Sequence, residues 1–105
     1  MAFDGTEGAI ITLKEAEKFT ADYRAEITKG TVISHYFGKV VLEKILAQQD
    51  CVGIRMYHGK DENGNKNLVL VGVTENEDDM TQGLIADRSV ICPPFGGGSL
   101  NSLNS

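Results

Sequence analysis

Asn67-Leu-Val-Leu-Val-Gly-Val-Thr74 is the stretch that decides the fold. A strand sends alternate side chains to opposite sides. Leu68, Leu70 and Gly72 share one side, and Val69, Val71 and Val73 share the other. A half-buried strand would alternate apolar with polar, and this one does not. Both faces of this ribbon therefore need cover.

Upstream, Val52, Ile54 and Met56 alternate with Gly53, Arg55 and Tyr57, the pattern of a half-buried strand. Asn63-Gly64 lies between the two runs. Both residues tolerate positive φ, so the pair predicts a hairpin turn. Further upstream the period changes to that of helices. Thr12 and Glu15 form a Thr-x-x-Glu capping box before Leu13, Ala16, Phe19 or Thr20, Tyr23 and Ile27, which predicts a helix over 12–27 ending at Lys29-Gly30. Glu15 with Lys18, and Lys18 with Asp22, make opposite-charge neighbours on its outer face. Phe37, Val41, Leu42, Ile45 and Leu46 predict a second helix over 37–49. Residues 31–36 read both ways: Thr31, Val32 and Ile33 prefer extended backbone, and Ser34 suits a cap. Downstream, Glu75, Glu77, Asp78 and Asp79 read as a solvated loop. Leu84–Ala86 and Ser89–Ile91 read as either helix or strand, and as strand they would supply a third one near 84–91. Cys92-Pro93-Pro94 stops any regular element.

The expected fold is thus α+β: two N-terminal helices packed on a small antiparallel sheet built around the hairpin 52–74. Length sets the scale. With 105 residues the chain suits one domain, expected over 1–94, followed by a Gly/Ser/Asn-rich tail over 95–105. Net charge is −5, and the ten bases are scattered, which argues against a nucleic-acid surface. The start, Met1-Ala-Phe-Asp-Gly-Thr-Glu-Gly8, has neither the basic nor the apolar region of a secretory signal. No apolar run approaches the ~20 residues of a membrane helix. Two cysteines, Cys51 and Cys92, make no disulfide framework. The expectation is a cytoplasmic protein with free thiols and no membrane partner.

Chemistry leaves few marks. Asp61, Asn63, Asn65 and Asn67 have the oxygen spacing of a calcium loop, but Lys66 stands where such a loop needs Gly, and Gly72 where it needs a bidentate acid. A polar hairpin turn is the plainer reading. Cys51, His58, Cys92 and His35 lack the close pairs of a zinc site. A Cys–His nucleophile pair needs a lowered thiol pKa and a positioned base, and no motif marks either. Gly96-Gly97-Gly98 precedes no helix and reads as linker, not as a phosphate loop. No cofactor is expected. Arg55 and Tyr57 are residue types enriched at interface hot spots.

Several segments together resemble a family of small, functionally uncharacterised proteins of Bacteroidetes bacteria. They are Ile11-Thr-Leu-Lys-Glu-Ala16, His35-Tyr-Phe-Gly-Lys39, Cys51-Val-Gly-Ile-Arg-Met-Tyr57, Leu68-Val-Leu-Val-Gly-Val73, Cys92-Pro-Pro94 and Leu103-Asn-Ser105. In that family a second cysteine often follows the Cys-Pro-Pro-aromatic unit. Gly96 stands there in this chain, which weakens a thiol or metal role for Cys92. The resemblance implies a bacterial protein and brings no activity.

The leading functional expectation is a non-catalytic protein-interaction or self-assembly module, hence a homo-oligomer or one half of a complex. Its expected contact residues are Val69, Val71, Val73, Phe95, Leu100, Leu103, Arg55 and Tyr57. Cover for the valine face comes either from the tail folding back or from another subunit. Two alternatives belong to other classes: a small-ligand or metal-binding regulatory domain using Cys51, His58, Cys92 or the Asp61 turn, and a small thiol enzyme.

Overall fold

The structure, a computed structural model, describes residues 2–93 and 101–104. The class is α+β, with two helices and two antiparallel sheets. Contacts divide the chain into two compact units, residues 1–7 with 37–89 and residues 8–36 with 90–105. The expected domain 1–94 thus contributes to both.

The first unit is built on the hairpin. Strand β2 (Gly53–Lys60) pairs with β3 (Lys66–Val73) along its whole length, with Arg55 opposite Val71 and Tyr57 opposite Val69. Gly64 takes φ +81°, as the Asn-Gly signal requires. The Asp61 carboxylate accepts the N–H groups of Asn63 and Asn65, each at 2.9 Å, and closes the turn. Those bonds, Asn65 first, hold the Asp61 carboxyl below the ordinary carboxylate range. The calcium-like spacing is therefore turn chemistry.

Helix α2 (Lys39–Leu46) packs on β2 and β3. It starts two residues later than expected, because Gly38 holds the N-cap in extended conformation without a side-chain bond. Ile45 is fully buried, whereas Val41 and Leu42 are half-buried and Leu46 is exposed. Asp50, at φ +69°, turns the chain toward β2. The expected third strand is two pieces. Strand β4 (Ile85–Ala86) pairs with β3, setting Leu70 against Ala86 and Val71 against Ile85. The chain then turns at Arg88, at φ +65°, and does not continue in the same sheet.

Water is excluded from both sides of β3 over 70–73. Leu70 is 0% exposed on one face; Val71 is 4% and Val73 3% exposed on the other. Gly72 is buried where Gln48, Cys51 and Met80 converge, and an added Cβ there would meet the Gln48 amide nitrogen at 2.9 Å and Cys51 Sγ at 3.0 Å. Only a residue without a side chain fits this approach. Leu68 and Val69, nearer the turn, are half-buried.

The second unit holds helix α1 (Leu13–Arg24), strand β1 (Ser34–Tyr36) and strand β5 (Val90–Cys92). The capping box is present: Glu15 N–H donates to Thr12 Oγ1 at 3.1 Å, and Thr12 N–H to Glu15 Oε1 at 3.3 Å. The expected Lys18–Asp22 pair closes at 2.7 Å. The helix ends at Arg24, earlier than expected, because Glu26 N–H bonds the Tyr23 carbonyl three residues back and tightens the last turn. Ser34 caps nothing. It opens β1, which pairs antiparallel with β5 so that His35 faces Ile91, and Ile91 is buried. No residue of α1 is buried.

Candidate interaction site

Strand β2 is the outer strand of its sheet: β3 lies on one side, and no strand pairs with the other among the described residues. Its central residues Met56, Tyr57 and His58 are exposed. Beside its first half runs the segment 2–7, anchored where Phe3 N–H donates to the Glu75 carbonyl at 2.8 Å. Between them lies a cleft of about 480 Å³, lined by Phe3, Gly5 and Glu7 on one side and by Val52–Met56 on the other.

On the valine face, β2 carries a polar cluster. Arg55 and Tyr57 stand two residues apart, so they share a face. Both reach Asp79, the guanidinium through one carboxylate oxygen and the Tyr57 hydroxyl through the other. Arg55 also donates to the Glu77 carbonyl and lies over the Phe3 ring, 5.8 Å from its centroid. The Tyr57 hydroxyl first, and then Asp79 against partial desolvation, hold Arg55 still more firmly in its charged form. Asp79 is turned inward because its residue bridges Val73. The acidic run 75–79 is therefore not wholly a solvated loop. Nothing in the sequence separates Asp79 from its acidic neighbours.

A second polar device also escaped the sequence reading. Asn67, at the start of β3, is 7% exposed. Its Oδ1 accepts the N–H of Leu68 at 2.8 Å, the N–H of Ser89 at 3.2 Å and the Ser89 hydroxyl at 2.6 Å. This clasp ties the segment after β4 to β3.

Of the expected contact residues, Val71 and Val73 are buried within the single chain and Val69 is half-buried. At 71 and 73 the valine face has no surface left for a partner, because the chain itself covers it. Arg55 is half-buried on Asp79, and Tyr57 is exposed. Phe95 and Leu100 lie outside the described residues. Leu103 is exposed, and its carbonyl accepts from Arg24 of α1. Ser102 donates to Glu17 of the same helix at 2.7 Å, so residues 102 and 103 reach α1 of their own chain.

Cys51 is half-buried, its thiol directed to the Gly53 carbonyl at 3.2 Å. Cys51 and His58 belong to the first unit, and Cys92 to the second. Among the described residues, no three His, Cys, Asp or Glu side chains are grouped to hold a metal. No helix among them is long and apolar enough to cross a membrane. No protein-family model, curated protein or solved structure matches this chain.

Proposed function

We propose that this protein is a non-catalytic interaction module that associates with itself, in a cytoplasmic setting. One observation carries the reading: the imbalance between buried and exposed apolar side chains. Among the described residues, five large apolar side chains are buried: Ile45, Leu70, Val71, Val73 and Ile91. Fourteen are exposed, including Ile10, Leu13, Phe19 and Tyr23 near or on α1, and Met56, Tyr57, Leu84 and Ile85 in the first unit. Single exposed apolar residues are ordinary, but so many against so small a core are not. Apolar surface left in water forgoes about 25 cal/mol per Å², of which association recovers the part left after its own entropic cost. The reading does not rest on Val71 and Val73, which the chain already covers.

The experiment is sedimentation velocity over a hundredfold range of protein concentration. The reading expects a dimer or larger species growing with concentration. A monomer throughout the range contradicts it.

A further inference from the structure

We propose that the hairpin turn carries a modification site, at which Asn63 loses its side-chain amide spontaneously through attack by the backbone nitrogen of Gly64. The reaction needs no enzyme and no cofactor, and it is independent of self-association.

Asparagine is among the thermolabile residues, and the chemistry is local. The Gly64 nitrogen adds to Asn63 Cγ. A new C–N bond closes a five-membered imide, and the side-chain nitrogen leaves as ammonia with the proton that Gly64 gave up. Water then opens the ring at either carbonyl. One opening gives aspartate. The other gives isoaspartate, in which the main chain runs through the former side-chain carboxyl carbon and gains a methylene. Nothing is oxidised or reduced, and each product carries one new carboxylate.

Three features single out Asn63 among the described asparagines. The following residue must not shield its own nitrogen, and Asn63 alone is followed by glycine. The amide must also be free to turn toward that nitrogen. Asn67 is 7% exposed and holds Leu68 and Ser89, and Asn65 bonds the Asp61 carboxylate. Asn101 accepts from Leu103, and Asn104 from Asn101. Asn63 is exposed, and its bond to Asp61 is made by its backbone N–H at 2.9 Å, which leaves the side chain out. Asn76 is exposed as well, but Glu77 follows it. Lastly, the backbone must open. Gly64 N–H donates to the Asp61 carbonyl at 3.0 Å, and this bond lies in an exposed turn, where local opening costs least.

The product alters the turn. Asp61 closes it by accepting the N–H groups of residues 63 and 65. A carboxylate at 63 adds a like charge two residues from Asp61 and next to Glu62, and like charges in one site disfavour each other. In isoaspartate the added methylene also lengthens the turn, so the two Asp61 bonds no longer fit together. The turn gains charge and loses its closure as the molecule ages.

The test incubates the full chain at 37 °C and pH 8 beside the same chain unfolded in urea, until the unfolded chain has lost half of its Asn63 amide. Fragmentation of tryptic peptides then locates the products by mass. The folded protein should show a one-dalton gain at Asn63, at no less than a tenth of the unfolded rate and ahead of Asn65 and Asn76. Asn63→Gln should remove that gain. In the purified isoaspartate form the Asn65 amide should exchange at least tenfold faster than in fresh protein. A folded chain whose Asn63 stays intact, or whose Asn65 or Asn76 converts first, overturns the proposal. Equal exchange at Asn65 overturns the loss of closure.

Discussion

Strand β3 and helix α1 show two ways for a segment to become ordered. Over 70–73, β3 is enclosed on both faces, and its place is set by burial. Helix α1 buries no residue at all. Its order comes from the Thr12–Glu15 box, the Lys18–Asp22 pair and the links from Ser102 and Arg24. Burial acts through many contacts at once and resists local opening, whereas caps and exposed pairs contribute tenths to about 1 kcal/mol each. The hairpin should therefore hold the stability, and α1 should fray first.

The largest effect should come from Val71→Asp. It places a carboxylate where the wild-type side chain is 4% exposed and where the Arg55 opposite is already held by Asp79. A cost of roughly 4 kcal/mol or more is expected, a large share of what a domain has. Urea unfolding followed by circular dichroism would read it. Near-wild-type stability would mean that β3 is not enclosed as described.

Asn67→Ala comes next. It leaves the Leu68 and Ser89 N–H groups without their acceptor, at an expected cost of about 1–3 kcal/mol in the urea midpoint. The cost should appear in the first unit, with faster exchange at Ser89 and Leu68, and α1 should not change.

Thr12→Ala tests the other side of the comparison. Losing the N-cap should cost α1 about 1 kcal/mol. Helical signal should fall while exchange at Leu70–Val73 is unaltered. If the hairpin loosens equally, α1 is not ordered locally.

The smallest effect is the acid limb set by Asp61. Its folded-state pKa is lowered, so its contribution is present above the unfolded carboxyl pKa, about 4, and is lost as pH falls through the folded value. Asp61→Asn should lower stability slightly at pH 7 and flatten that limb, the two proteins converging as the carboxyl is protonated in acid. An equal slope in both proteins would remove the turn bonds from the account.

Much of the fold could be read from residues with strong local rules. Thr12 and Glu15 fixed a helix start, Asn63-Gly64 fixed a hairpin, and the two-sided apolar run fixed an enclosed strand. Failures came where distant residues decide. Residues 31–36 read both ways, and strand won at Ser34 because β5 arrives from fifty-odd residues later. Leu84–Ile91 looked like one strand and divided at Arg88, whose positive φ no pattern announces. Of the candidate site, Arg55 and Tyr57 were legible as a same-face pair. Asp79 and Phe3 were not, since their roles exist only once the loop and the N-terminal segment lie against β2.

Native-state hydrogen exchange at low protein concentration tests the central contrast most directly. The account predicts that the hydrogen-bonded amides within Leu70–Val73 exchange slowest of all, at the rate of global unfolding, while those of α1 exchange at least tenfold faster. Equal protection of α1 and β3 in a dilute sample would contradict it.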